Sequence, residues 1–313
     1  MARGTETSAK QFCYPPEVVA QREKRGHSGI TLIGSGNLAQ ALGPALVAAG
    51  YRIDSVITRD LAASRKRATA LANKLGAKLK TFAEPTSDSD IFWICHTDDA
   101  LNSTARLLAP NKPVGDTGWK GKIILHSSGA LTSAVLIPLK RKGAHEASLH
   151  PMMTFVPGTK PDLSKVPFAV EGDAKAVAAA RQIVRRLGSE VFTIRKKNKI
   201  LYHALGSFAS PMIVATLVTA ERVGRAAGLS STQTKKLMAP ILRQTIKNYL
   251  AHDAEAAFSG PIKRGDLETV RRHLRELKRV PGASDVYRAL VKSGARDLPV
   301  GRKKELLGLL QKP

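Results

Sequence analysis

A glycine-containing turn between two regular patterns is the first feature of this 313-residue sequence that could do chemistry. The apolar run Ile30–Ile33 predicts a strand, and apolar residues recur at helical spacing after the turn. The turn itself consists of Gly34, Ser35, Gly36, Asn37, Leu38 and Ala39. Gly34 would permit a tight bend, Gly36 would let the backbone approach a pyrophosphate, and Ala39 would permit close helix packing. The segment therefore predicts a dinucleotide site at a helix N-terminus.

The end of the next predicted strand bears on which dinucleotide is bound. Residues 53–57 lead into Thr58 and Arg59, where NAD-specific folds place an acid for the ribose 2′-hydroxyl. An arginine there can instead bind a 2′-phosphate, which favours NADP. Further positive charge follows at Arg65, Lys66 and Arg67. Two alternatives stay open: Arg59 could begin a solvated basic helix, and Asp60 could be an N-cap or the NAD-type acid.

A third predicted strand, residues 91–95, ends in the polar run His96-Thr97-Asp98-Asp99. Ligands of open α/β sheets bind at this end of the strands, so Thr97 and Asp98 are candidate neighbours of the cofactor. Either aspartate could equally cap the following helix, which we favour, and His96 could be an exposed turn residue.

Histidines and hydroxyl groups follow two later strands. Residues 122–125 run into His126, Ser127, Ser128 and Gly129, and another strand ends near His150. A glycine-hydroxyl turn at this edge can present N–H and O–H donors to a substrate carboxylate, and a histidine can donate a proton or orient a carbonyl. Each histidine taken singly also fits a structural role. Their shared position at strand ends favours carbonyl reduction.

The elements that must position these residues change character along the chain. Short apolar runs alternate with helical patterns from residue 29 to about residue 194, which predicts a parallel sheet. Long periodic segments without strand signals follow Arg195. We expect an α/β fold, with a Rossmann-type doubly wound parallel sheet followed by an all-helical C-terminal domain. The expected division is a disordered or loosely docked tail at 1–28, a cofactor domain at 29–194 with its motifs in 29–155, and a helical domain at 195–313.

Local signals divide the helical half. Gly228 should end one helix, Pro281-Gly282 should interrupt a later one, and Asp266 should cap a helix that begins at Leu267. Pro211 lies inside the longest helical pattern, where it should kink the helix or mark its start.

Composition bounds the class of protein. The 43% apolar content suffices for a packed core, and the longest apolar runs, residues 41–50 and 208–220, fall short of the roughly 18 residues of a membrane span. Residues 1–28 lack the apolar stretch and cleavage site of a secretory signal. Cys13 and Cys95 match neither a disulfide framework nor a metal site, so we expect no metal and a reducing, cytoplasmic location.

The net charge of +25 would attract phosphates, nucleic acid or an anionic membrane. The basic residues are spread over the whole chain, aromatic residues make up only 5%, and no nucleic-acid-binding motif is present. We therefore expect no specific nucleic acid partner, and interpret the charge as a solvated surface that steers an anionic cofactor and substrate.

A series of longer motifs carries a family resemblance. The motifs are GSGNLAQAL from Gly34, HSSGAL from His126, SLHPMMTF from Ser148, LYHALGSFAS from Leu201 and FSGPIKRGDLETVRRHL from Phe258. In this order they resemble Rossmann-like NADP oxidoreductases related to ketopantoate reductase, which carry a C-terminal helical domain once classed as of unknown function. The resemblance covers nearly the whole chain after residue 28. It implies a second domain similar to those of 6-phosphogluconate dehydrogenase relatives, a homodimer, and reduction of a 2-oxo acid such as ketopantoate.

The resemblance also implies a catalytic pair. In such reductases a lysine and an amide or imidazole one helical turn later face the reacting carbonyl, and Lys199 and His203 match that spacing. Residues four apart share a helix face, so the ammonium could bind the developing alkoxide while the imidazole orients the substrate or relays the proton. The basic run 195–199 fits a solvated connector equally well. Pro211 stands where the family has asparagine, which removes an amide and a backbone donor.

These residues together predict hydride transfer from NADPH to a small 2-oxo acid. Ser127, Ser128 and basic groups would fix the carboxylate, and Lys199 or His126 would supply the proton. Arg264 could also reach the carboxylate, although its loop fits a helix-capping turn equally well. Two alternatives stay open: a prephenate-dehydrogenase-like enzyme, which the turn after His150 resembles, and an NADP-binding sensor without turnover.

Overall fold

The computed structural model of the chain describes residues 29–84, 89–110, 118–159 and 161–311. The tail expected at 1–28 lies outside the described residues. The chain divides into two compact units, the first ending at Gly206 and the second beginning at Ser207. The division thus falls later than the boundary expected at Arg195, because the start of a helix groups with the sheet.

One sheet of eight strands organises the first unit, in the order β3-β2-β1-β4-β5-β6-β7-β8. The strands are β1 Ile30–Ile33, β2 Ile53–Thr58, β3 Lys78–Thr81, β4 Ile91–Ile94, β5 Ile123–His126, β6 His145–Pro151, β7 Phe168–Gly172 and β8 Val191–Thr193. Neighbouring strands run parallel except β6 and β7, which are antiparallel. The predicted α/β class and dominant parallel pairing are confirmed, and the antiparallel pair is a departure from a purely parallel sheet.

Helices cover both faces of this sheet. They are α1 Asn37–Ala48, α2 Ala62–Leu75, α3 Asp98–Leu108, α4 Ile137–Lys140 and α5 Ala174–Arg186. Helix α6, Lys199–Ala209, follows β8 and crosses the division between the units. Alternate residues of a strand point to opposite faces, and Trp93 and Phe92 of β4 accordingly belong to different apolar clusters. Helices α1, α2 and α5 contribute to the cluster of Trp93, and α3 and α4 to that of Phe92. Both faces are buried, which explains why the central strands are almost continuously apolar.

The second unit is helical, as the sequence predicts. Its helices are α7 Pro211–Ala226, α8 Ser231–Ala251, α9 Ala254–Ala257, α10 Pro261–Arg264, α11 Leu267–Leu277, α12 Ala283–Asp297 and α13 Lys303–Leu309. Val270, Leu274 and Leu306 are among the residues of its small apolar core. Asp266 caps α11 by accepting a hydrogen bond from the Thr269 N–H at 3.0 Å, which confirms the predicted cap.

Pro211 starts a helix rather than kinking one. Helix α6 ends at Ala209, Ser210 has a non-helical backbone, and Pro211 is at the first position of α7, where its missing N–H costs nothing. Counted through this break, Lys196–Ala226 is the single stretch of the described residues long and apolar enough to cross a membrane. The uninterrupted apolar run 208–220 is shorter, because the longer stretch includes polar residues that a mean hydropathy over 18 residues tolerates.

Candidate cofactor and active site

A cavity of about 380 Å³ lies beyond the carboxyl ends of β1, β2 and β4. The glycine turn lines one side of it, and the segments after β2 and β4 line the others. Residues predicted to bind the cofactor and found in its wall are Gly34, Ser35, Gly36, Arg59 and Thr97. Because parallel strands end at one edge, three turns distant in sequence form one concave surface.

The glycine turn leaves room for a phosphate. Gly34 has φ +106°, and a Cβ there would lie 2.6 Å from the His96 ring, so this position needs glycine. Gly36 has an ordinary backbone, and the nearest atom to a Cβ would be 3.9 Å away. The missing side chain at Gly36 therefore leaves open space at the N-terminus of α1, where backbone N–H groups can bind a pyrophosphate. The residues present fit a dinucleotide.

The rest of the turn packs or holds the loop rather than lining the cavity. Ala39 is completely buried, and Leu38 packs against the core of the sheet. Asn37 is exposed, and its side-chain amide donates to the Phe155 carbonyl at 3.0 Å. Ala39 thus serves the close packing predicted for it, and the expected contact of Asn37 and Leu38 with cofactor stays a prediction.

Arg59, directly after β2, and Arg67, on α2, form the basic part of the cavity. Arg59 and Arg67 line it together with the hydroxyl groups of Thr58 and Ser64. Among the described residues, no carboxylate lies in ion-pair contact with either arginine. Asp60 instead accepts from Arg65 at 2.6 Å. The guanidinium groups of Arg59 and Arg67 match the charge of a 2′-phosphate.

The structure settles which of three aspartates cap helices. Helix α2 follows Leu61 at its N-cap, so Asp60 is not the cap, and its exposed carboxylate pairs with Arg65. Helix α3 has Thr97 at its N-cap and both Asp98 and Asp99 in its first turn. The two aspartates therefore do not occupy the cap position we favoured, but their charge suits the helix N-terminus.

His96 is half-buried beside the glycine turn rather than exposed. Its Nδ1 shares a hydrogen bond of 2.7 Å with the Thr104 hydroxyl. Burial, with a smaller contribution from Arg59, lowers the pKa of His96 to about 4. The imidazole is therefore neutral at pH 7 and adds no charge to the cavity.

The segment after β5 is held by hydrogen bonds to its own side chains. Ser128 Oγ accepts from the N–H groups of Ala130 and Leu131, at 3.2 and 2.8 Å, and Ser128 itself is buried. Ser127 Oγ accepts from the buried Trp93 indole at 2.7 Å. Ser128 therefore shapes the turn, and Ser127 keeps a hydroxyl hydrogen that can be donated to a substrate.

His126 lies under this turn and is completely buried. Its Nδ1 accepts from the Ser128 N–H at 3.1 Å. Burial and the nearby Lys199 lower the pKa of His126 to about 3. A neutral, inaccessible imidazole holds the turn and is poorly placed to protonate a substrate.

A cluster of ring side chains adjoins Gly129. The His150 and His203 rings would both lie within 3 Å of a Cβ at Gly129, and their centroids are 6.4 Å apart. The Tyr202 hydroxyl shares a hydrogen bond of 2.7 Å with His150 Nδ1. Burial, then Lys199 and His203, lower the pKa of His150 to about 4, and burial raises the pKa of Tyr202 to about 12. A neutral imidazole and a protonated phenol thus meet there.

Tyr202 was not among the residues predicted for the site, although the sequence contains a signal for it. It precedes His203 and lies three residues after Lys199, so helical spacing places it close to the pair that was chosen. The imidazole of His203 belongs to the cluster, and its predicted role at the substrate carbonyl stays a prediction. Its side chain is exposed.

Lys199 lies in the interior and not at the surface of the cluster. Its side chain is 1% exposed, and its ammonium donates to Ser148 Oγ and, at 3.2 Å, to Glu171 Oε1. Burial lowers the pKa of Lys199, and Glu171 opposes that effect. The solvated-connector interpretation is wrong for Lys199, and the proton-donor role would require the ammonium to leave its buried partners.

Arg264 belongs to the second unit, at the end of α10, with an exposed side chain. Gly265 follows it in the left-handed conformation and Asp266 caps the next helix, so the capping account of this loop is confirmed. A substrate contact for Arg264 stays a prediction.

Two family models match parts of the chain. A Rossmann-like domain matches residues 13–151, and a domain of unknown function (DUF2520) matches residues 166–293. The chain therefore contains a Rossmann-like domain followed by a DUF2520 domain. No curated protein matches the sequence.

Solved structures share the architecture over most of the chain. Protein TM1727 from Thermotoga maritima is 23% identical with a TM-score of 0.67, over 90% of this chain and 98% of that one. For the putative NADP oxidoreductase BF3122 from Bacteroides fragilis the identity is 23%, the TM-score 0.68 and the coverage 86% and 98%. An imine reductase from Myxococcus stipitatus in complex with NADP+ is 17% identical with a TM-score of 0.61, over 91% and 100%. This chain has their fold.

The buried neutral histidines make stability depend on pH. Folding lowers the pKa values of His96, His126 and His150 from 6.5 to about 4, 3 and 4. As pH falls below 6.5 the unfolded chain binds protons that the folded chain does not, so stability present above pH 6.5 is lost. The free energy of unfolding should fall between pH 6.5 and 5, by up to roughly 1.4 kcal/mol per pH unit for each histidine.

Urea denaturation at a series of pH values measures this slope. His126→Asn retains an acceptor near the position of Nδ1 without the titrating ring, so the variant should show a shallower slope than wild type. An equal slope in the two proteins would contradict the assignment to His126.

Proposed function

We propose that this chain is an NADPH-dependent reductase of a small 2-oxo acid. The observation that carries the proposal is the cavity at the glycine turn, where Arg59 and Arg67 lie beside Thr58 and Ser64 while Asp60 is taken up by Arg65. Asp60, the acid that follows Arg59, pairs with Arg65, and the one carboxylate among the described residues of the cavity wall is Asp99, in the first turn of α3. The two arginines suit the additional phosphate of NADP. The shared fold with a putative NADP oxidoreductase and an NADP+-bound imine reductase supports the same cofactor.

The second part of the proposal is the reacting site. The turn after β5 adjoins the strand that leads into the cavity, because β4 and β5 are neighbours and Trp93 of β4 hydrogen-bonds Ser127. NADPH would supply a hydride to the carbonyl carbon of the substrate. Ser127 would donate to the substrate carboxylate, and the high positive charge of the chain would favour approach of an anion.

Tyr202 is the proton donor of this proposal. Its raised pKa keeps the hydroxyl protonated at pH 7, and an alkoxide that forms on hydride addition is a stronger base than a phenolate. The neutral His150 ring fixes the hydroxyl through their hydrogen bond. Lys199 and His126, expected to supply the proton, are buried and bound to other groups.

Cofactor preference tests the arginine site. Replacing both cations in the variant Arg59→Gln/Arg67→Gln should weaken NADPH binding by roughly 100-fold, about 2.7 kcal/mol, while NADH binding changes little. Fluorescence titration with each nucleotide measures both affinities. The matched control is Arg65→Gln, which removes a neighbouring arginine that already has a carboxylate partner and should retain most of the NADPH affinity. Equal losses of affinity for NADPH and NADH in the double variant would refute a 2′-phosphate site.

Turnover tests the reaction. NADPH absorbance followed with a panel of 2-oxo acids, including ketopantoate, and of cyclic imines should show consumption with a 2-oxo acid. Tyr202→Phe should lower kcat by about 100-fold or more, as loss of a general acid does, with the KM for NADPH within twofold of wild type. NADPH binding without turnover on any substrate would favour a sensor, and turnover confined to imines would correct the substrate class.

We further propose that the chain forms a homodimer through α7 and α8. None of the residues of α7 is buried, and Thr234 is the one buried residue of α8. Large apolar side chains exposed by 40% to 77% are Met212, Ile213, Val214, Val218, Leu237, Ile241, Ile246, Tyr249 and Leu250. Helices that bury so little do not offset their ordering entropy alone.

A second copy suits this surface better than a lipid bilayer does. Nine half-exposed large side chains approach the roughly 800 Å² per partner that a stable interface buries. Four basic residues, Lys235, Lys236, Arg243 and Lys247, are spaced along α8. Charges in the middle of a helix are costly in hydrocarbon but are accommodated at the rim of a protein interface.

Light scattering after size exclusion measures the assembly. Wild type should elute as a dimer, and Leu237→Glu/Ile241→Glu, two exposed residues one helical turn apart, should shift it to monomer. Val47→Glu is the matched control, since it places an acid at an exposed apolar position of the first unit. A monomeric wild type, or one that needs detergent to stay dispersed, would overturn the dimer.

A further inference from the structure

A row of buried polar side chains crosses the sheet below the ring cluster. His126 of β5 pairs with Ser148 of β6, and Ser148 pairs with Glu171 of β7. Cross-strand partners lie on the same face, and all three residues are at most 3% exposed. Charged groups are rare in such positions unless they are paired, so the row requires a partner.

Lys199 is that partner. Its ammonium contacts Ser148 Oγ and Glu171 Oε1. Among the described residues, the Ser133 N–H, at 2.7 Å, and the Ser133 hydroxyl, at 3.0 Å, also donate to the Glu171 carboxylate. Lys196, whose side chain is half exposed, lies 3.9 Å from Glu171 Oε2. The carboxylate is therefore satisfied by one buried cation, two hydrogen bonds and a more distant second cation.

The same row fixes the turn that follows β5. The Ser128 N–H donates to His126 Nδ1 at 3.1 Å, and Ser148 Oγ donates to the Ser128 carbonyl at 3.2 Å. Ser133, at the far end of the turn, is bound to Glu171. Both ends of the segment 128–133 are thus tied to the row, with Gly129 between them.

Helix α6 is tied to the row by its first residue. Lys199 begins α6, and Tyr202 and His203 follow within one turn. Their partner His150 is on β6, two residues after Ser148, and therefore on the same face. The contact between Lys199 and Ser148 thus sets the register between the helix and the strand that carry the ring cluster.

We propose that Glu171 and Lys199 form a buried positioning pair, which holds the 128–133 turn and the start of α6 so that Gly129, His150, Tyr202 and His203 meet. The proposal rests on the proposed reductase function only for its kinetic readout. Lys199 acts here through other residues and gives no proton to the substrate. Glu171 is a positioning residue that the sequence analysis did not select.

Physical chemistry separates this role from that of a proton donor. Removing one member of a buried ion pair leaves an uncompensated charge, whereas removing both charges is often nearly neutral. A positioning pair can therefore be rescued by a second, neutralising substitution. A missing proton donor cannot be rescued in that way.

The experiment is a double-mutant cycle on the full chain with Lys199→Met, Glu171→Gln and the double variant. Lys199→Met should lower kcat by roughly 100-fold with the KM for NADPH within twofold, and the double variant should recover at least about tenfold of that loss, since contacting residues couple. Lys197→Met, an exposed lysine of the same basic run, is the matched control and should behave as wild type. A double variant as inactive as Lys199→Met would overturn the proposal.

A second readout does not need turnover. The side-chain NMR signals of His150 and His203, assigned with single His→Asn variants, should shift in Lys199→Met and return toward their wild-type positions in the double variant. The midpoint of thermal unfolding should likewise fall in Lys199→Met and recover in the double variant. Unmoved histidine signals in Lys199→Met would overturn the positioning role even if activity is lost. If wild type turns over nothing, the proposed function fails, while the NMR and thermal cycle still decides whether the pair positions the rings.

Discussion

The common carboxyl edge of the parallel strands is the constraint on which the rest of the structure depends. Strands β1, β2, β4 and β5 are hydrogen-bonded in parallel, so the four segments that follow them emerge at one edge. The central strands are largely apolar and buried, and the polar residues that line the cavity follow the ends of these strands. The cofactor cavity and the turn that begins at His126 are therefore consequences of one pairing scheme rather than separately built sites.

Burial sets the charge state of the candidate site more than the high net charge of the chain does. The imidazoles of His96, His126 and His150 are neutral at pH 7 because the interior disfavours their charged form. The buried ammonium of Lys199 reinforces this for His126 and His150. The positive charge available to phosphates is thus concentrated in exposed arginines, while the ring cluster presents hydrogen-bonding groups without charge.

Sequence patterns predicted those parts of the molecule that depend on local geometry. The strand, glycine turn and helix at residues 30–48 and the cap at Asp266 follow from backbone preferences of neighbouring residues. The same preferences limited Pro211 to a kink or a helix start, and the structure shows the start. The burial of Lys199 could not be predicted in this way, because its partners Ser148 and Glu171 are brought together by strand pairing distant in sequence. A signal for Glu171 was present: it is an acid in the otherwise apolar strand FAVEG, where a charge needs a partner.

The antiparallel pairing of β6 with β7 joins the segments that match the two family models in one sheet. The Rossmann-like match ends at residue 151, which is the last residue of β6, and the DUF2520 match begins at residue 166, just before β7. The first unit nevertheless continues to Gly206. Strands β7 and β8, which lie within the DUF2520 match, therefore belong to the same sheet as the strands of the Rossmann-like match. Separated at that seam, the Rossmann-like half would expose the backbone of β6 as an open edge, a template for aggregation. The boundary between the two family matches therefore falls inside one hydrogen-bonded sheet, so the first unit draws its strands from both matched segments.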